Sequence, residues 1–114
     1  MALYFVRFVF KEEALKGLVE RPIDRVVPSR QFLESQGGKL HGFWWTHTMD
    51  AVMVYELPDA VDQAVTQMIA RSGGAVERVE IMPLITNEQA IEAMLKAGEV
   101  EKRYKRWQDT EPVG

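Results

Sequence analysis

Gly37-Gly38-Lys39-Leu40-His41-Gly42-Phe43-Trp44-Trp45-Thr46-His47 is followed at once by Asp50-Ala51-Val52-Met53-Val54-Tyr55. The two stretches read as the arms of a hairpin with its turn near Thr46 to Met49. Both arms are apolar on both faces. A strand covered on one side only alternates apolar and polar residues, and neither arm does. Each side of the sheet therefore needs a cover: helices of this chain on one, and a second chain on the other.

Outward from the hairpin, the rest of the chain supplies the partners. Leu3-Tyr4-Phe5-Val6-Arg7-Phe8-Val9-Phe10 is aromatic and β-branched, the composition of a strand. Lys11 to Arg21 contains good helix formers and ends at Pro22, so a short helix or turn is expected there. A second helical stretch runs toward Gln36, with Pro28 in its first turn, where the missing amide hydrogen is harmless. Gly37 and Gly38 stop it, since glycine takes the left-handed cap. Leu57-Pro58-Asp59 opens a clear helix with Asp59 as cap and Asp62 near its positive end. Val61, Ala64, Val65, Met68 and Ile69 fall on one face of that helix, which Gly73-Gly74 ends. This stripe is expected to face the sheet, so that Val65→Asp would unfold the chain.

A fourth strand, Ala75 to Leu84, alternates, with Val79 and Ile81 toward the helices and Arg78 and Glu80 away from them. Thr86-Asn87-Glu88-Gln89 has the form of a capping box. It starts a helix carrying Ile91, Met94 and Leu95 that is expected to halt near Gly98. The order β-α-β-β-α-β plus a C-terminal helix predicts an α+β, ferredoxin-like fold with a four-stranded antiparallel sheet. The domain is placed at residues 1–98, with a basic-aromatic tail over 99–114.

Composition narrows the function classes. The chain has 114 residues, 46% hydrophobic and 27% charged, values of one ordinary globular domain. It has no cysteine, which excludes disulfides and thiolate catalysis and fits a reducing, cytoplasmic setting. Net charge of -3 argues against a nucleic-acid partner, and no apolar run is long enough to span a membrane. There is no phosphate loop, no His-Glu-x-x-His and no Gly-x-Ser-x-Gly elbow. Ser29, Ser35 and Ser72 lie in no recognisable nucleophile context.

The candidate site residues are therefore few. His41 and His47 would share a face of a regular strand at about 20 Å separation, too far to hold one metal ion within a chain. No metal and no cofactor is expected. Arg7, Arg78 and Glu80 would meet on the sheet face away from the helices, lining a small polar pocket or pairing across a dimer interface, with Glu80 as the partner of Arg7. Phe43, Trp44, Trp45 and Tyr55 either stack on a flat ligand or fill a core or interface. In the tail, Glu99, Glu101, Asp109 and Glu111 cancel the charges of Lys102, Arg103, Lys105 and Arg106. It reads as a solvated helix whose Tyr104 and Trp107 dock on a neighbour.

Two segments, Leu33 to Thr46 and Asp50 to Asp59, resemble the GYD-domain family of small bacterial proteins. The Gly-Gly-Lys-x-x-Gly-Phe and Asp-Ala-Val…Pro-Asp patterns carry the likeness, which extends over residues 2 to 97. The Gly-Tyr-Asp tripeptide corresponds here to Thr48-Met49-Asp50, so only the aspartate is kept. The resemblance implies a ferredoxin-like fold that pairs as a dimeric α/β barrel, and no activity. A homodimer or higher homo-oligomer is expected, binding a small molecule or serving structurally. The alternative is a cofactor-free enzyme, monooxygenase- or isomerase-like, with Arg7, His41 or Tyr55 acting in a cavity over the sheet. A third reading is an interaction module docking through its tail.

Overall fold

The first strand, β1 (Ala2–Phe10), lies in the interior of the sheet. The computed structural model describes residues 1–110. After β1 come α1 (Glu12–Glu20), α2 (Val26–Ser35), β2 (Lys39–Trp45), β3 (Ala51–Leu57), α3 (Ala60–Ser72), β4 (Val76–Leu84) and α4 (Asn87–Thr110). The sheet order is β2-β3-β1-β4 and every pairing is antiparallel. This is the ferredoxin-like arrangement, with two helices instead of one in the first connection.

Register separates the two faces of the sheet. Tyr4, Val6 and Phe8 of β1 stand opposite Tyr55, Met53 and Ala51 of β3. All six are buried, together with Leu57 and Leu33 of α2, and they form the core beneath α2 and α3. Val79 and Ile81 of β4 pair with Phe8 and Val6, on that same side, as the alternation predicts. Fully burying a large apolar side chain, as at Val6 and Leu57 of the core, is worth about 1.5–3 kcal/mol relative to exposure.

The helix boundaries follow local chemistry. Pro28 sits in the first turn of α2. At the other end Gly37 has φ 79°, its amide donates to Glu34 O, and that of Gly38 donates to Leu33 O. That pair of bonds satisfies carbonyls the helix leaves free. Asp59 accepts from the amides of Val61 and Asp62, and Asp62 accepts in turn from the Asp59 amide, a complete capping box. α3 stops just before Gly73-Gly74.

Three expectations are corrected. The apolar stripe of α3 faces outward: Val61 is 70% exposed, Met68 73% and Val65 41%, whereas Gln63 and Thr66 are buried at 7% and 5%. The reason is the sheet beneath, where the Tyr55 hydroxyl needs a buried partner and takes Gln63. Second, β2 is not regular. The register shifts between Leu40 and Gly42, a bulge at His41, and His47 lies beyond the strand's end. Third, α4 runs through Gly98 to Thr110, because one glycine costs only about 1 kcal/mol in a helix this long.

The chain divides into two compact units, Met1–Leu84 and Ile85–Gly114. In the second, Thr86 and Gln89 form the expected capping box: the Gln89 amide donates to Thr86 Oγ1, and the Thr86 amide to Gln89 Oε1. Among the described residues no helix is long and apolar enough to cross a membrane.

Candidate functional site

On the sheet face away from α2 and α3, Arg7 breaks the apolar run of β1, and a guanidinium there requires an anion nearby. Its main partner is Asp50, at the start of β3. Arg7 Nε donates to Asp50 Oδ2 at 2.9 Å and Nη2 to the same oxygen. Glu80, directly across on β4, is the second partner at 3.6 Å, and it also meets Arg78 at 3.7 Å. The hydrogen bond from Arg7 to Asp50 raises the arginine's pKa, fixing its charge. Asp50 is buried, and its amide donates to Thr46 Oγ1 across the hairpin turn. The expected pairing with Glu80 exists, but the retained aspartate of the family tripeptide is the closer partner. Its side chain serves Arg7 first and also accepts from the turn, from Thr48 Oγ1 at 3.4 Å.

The remaining open-face candidate is His41, whose Nε2 lies 3.7 Å from Glu56 Oε2. Between them and the Arg7 group lie Phe5, Val52 and Val54, all half-buried. Trp44 lies over Gly42 on the edge strand, where any Cβ would overlap the indole. Among the described residues no group of three His, Cys, Asp or Glu is placed to hold a metal ion.

The helix side holds a different feature. Between the sheet and helices α2 and α3 lies an apolar cleft of about 470 Å³. Phe8, Phe10, Phe32 and Phe43 supply aromatic walls, and Ala51, Ala70, Gly73 and Ala75 are too short to fill the space between them. Tyr55 forms part of the wall. A second cleft of about 480 Å³, between α1 and the end of the sheet, shares Phe10, Arg25 and Ala75 with the first. Trp45 lines it, with its ring centroid 5.8 Å from Phe10 and 5.7 Å from Phe43.

Tyr55 is fully buried, and its hydroxyl donates to Gln63 Oε1 at 2.6 Å while Gln67 Nε2 donates to it at 3.4 Å. Burial pushes the phenol up to about 12, against the opposing pull of these two hydrogen bonds. At neutral pH it is a protonated, neutral group and no base. The free ends of the two amides, Gln63 Nε2 and Gln67 Oε1, are buried and lack a partner among the described residues. On the same helix Thr66 accepts from Gln36 Nε2 at 2.9 Å, tying α3 to the end of α2.

The six residues singled out in the sequence thus fall into two groups. Arg7, His41, Arg78 and Glu80 occupy the open face, while Trp45 and Tyr55 lie beneath the helices. Sequence reasoning missed Asp50 as the counter-ion, Gln63 as the phenol's partner, and the cleft with Arg25 and Phe32. A signal for the cleft was present: β1, β2 and α2 offer large aromatics while Ala51, Ala70, Gly73 and Ala75 oppose them.

A family model described as GYD domain matches residues 4–94. The chain belongs to the GYD-domain family. Among solved structures, an uncharacterized NIPSNAP domain protein from Burkholderia xenovorans is similar at 14% identity and a TM-score of 0.44. That match covers 75% of this chain and 94% of the other. A comparison with curated proteins finds no match.

Proposed function

We propose that this member of the GYD-domain family is a homo-oligomeric binding protein that takes an apolar small molecule into the cleft between the sheet and helices α2 and α3. The observation that carries the reading is the cleft itself. Its volume of about 470 Å³ falls within the roughly 300–1,000 Å³ of small-molecule sites, which are concave and lined by apolar and aromatic groups. The catalytic alternative draws on Arg7, His41 and Tyr55, and the sheet separates the first two from the third. The half-buried apolar face around Phe5, Val52 and Val54 supports pairing with a second copy. A cytoplasmic setting agrees with the lack of cysteine.

The neutral fluorophore N-phenyl-1-naphthylamine tests the binding reading. Saturable binding to the full chain is expected, and Ala70→Phe, which fills the cleft from α3, should weaken it about tenfold with the fold intact, since a bulky side chain displaces the ligand's own contacts. Absence of saturable binding to the unaltered chain overturns the reading. Light scattering tests the pairing: a dimer or larger mass at micromolar concentration is expected, and Val54→Glu should give monomers.

A further inference from the structure

The charges along the two clefts are of one sign. Arg25, at the N-cap of α2, lines both clefts, and Arg21, just after α1, lines the second. No aspartate, glutamate, lysine or histidine is part of either wall. Neither arginine has an acidic partner within 4 Å among the described residues. Asp24, next to Arg25 in sequence, is engaged locally, its Oδ1 accepting from the Val26 amide at 2.8 Å, and Glu20, next to Arg21, lines neither cleft. One cationic fork, Arg25, therefore stands where two apolar hollows that share Phe10 and Ala75 meet, and a second, Arg21, stands in the wall of the hollow beside α1.

We infer that the ligand is an amphipathic monocarboxylate, with its apolar body in the clefts and its carboxylate on Arg25, supported by Arg21. This deepens the binding reading above and rests on it. A guanidinium presents paired donors in the geometry of a carboxylate, and beside an apolar wall that interaction is screened less than in open water. A neutral ligand of the same length would fill the clefts but leave both forks in solvent. The 10-residue helix α2 adds its positive end at the same place.

The test compares decanoate with decanol on the full chain by isothermal titration calorimetry, below the concentration at which either self-associates. Decanoate should bind about tenfold more tightly, the scale of one charge-assisted hydrogen-bond pair. Arg25→Gln should abolish that preference, lowering decanoate affinity by a larger factor than decanol affinity. Arg21→Gln should reduce the preference by a smaller factor, and Arg25→Lys should keep part of it. Both arginines are exposed, so these variants should melt with the parent chain. If neither probe binds, the cleft is no ligand site and the underlying reading fails. If both bind equally, the cleft stands and the carboxylate assignment falls. A preference that survives Arg25→Gln also overturns it. So does decanoate affinity that weakens as protein concentration rises, because a second copy then occupies the clefts.

Discussion

On the helix side of β1, Tyr4, Val6 and Phe8 are buried, while on the other side of the same strand Leu3, Phe5 and Val9 remain half-exposed. Strand composition does not distinguish the two sides, since both are aromatic and β-branched. The difference lies in what stands over them. Leu33 and the buried edge of α3 close one face, and the other carries ion pairs around Arg7 and His41 and the indole of Trp44. Apolar strand residues thus specify that a face is to be covered, and charges within the face specify where a cover must leave room. Arg7, anchored by Asp50 and Glu80 in the middle of the open face, marks such a place.

The sharpest way to break this comparison is to truncate equivalent residues on the two faces. Leu57→Ala, at a fully buried position, should cost about 2–5 kcal/mol, the range for deleting a buried leucine side chain. Val52→Ala on the open face should cost less than about 1 kcal/mol in the monomer. Chemical denaturation measures both. Equal losses would mean that the open face is sealed in solution.

Next in size comes the phenol beneath the helices. The folded-state pKa of Tyr55, raised to about 12, lies above the roughly 10 of an unfolded tyrosine. Below pH 10 both states hold the proton, and its contribution is fully present. Between pH 10 and 12 only the folded state keeps it, so unfolding releases a proton and stability falls as pH rises. The loss attributable to Tyr55 should reach about 2–3 kcal/mol, and Tyr55→Phe should flatten that limb of the stability profile. Identical alkaline slopes for the two proteins would place the hydroxyl in solvent.

The smallest effect concerns the helix whose orientation was misread. Val65→Asp should change stability by no more than about 0.5–1 kcal/mol, as for other exposed helix positions. Unfolding of this variant would show that the outward stripe of α3 is covered in solution.

Legibility followed the range of the interaction. The hairpin, the Asp59 and Thr86 caps, the Gly37 stop and the alternation of β4 are local, and each was read from a few neighbouring residues. The open-face grouping of Arg7, Arg78 and Glu80 followed from strand order and alternation together. The facing of α3 was not legible, because a helical stripe reports its own symmetry and not what lies beneath it. There the decisive residue, Tyr55, belongs to another element. The bulge at His41 changes register without any proline or unusual composition to announce it. The pairing of Asp50 with Arg7 was not legible because the two lie 43 positions apart.

The interior position of β1 also sets an order in time. β2 and β3 are joined by a short turn and can pair as soon as both exist, on the microsecond scale of hairpins. β1, made first, has no neighbour until Ala51–Leu57 is available, and its second edge waits for Val76–Leu84. Such distant pairing slows folding relative to helical bundles of similar size. During synthesis the aromatic segment Leu3 to Phe10 is exposed for seconds, at about 5–20 residues per second. Arg7 then has a second consequence: it interrupts an otherwise continuous apolar segment during the interval when self-association would compete with folding.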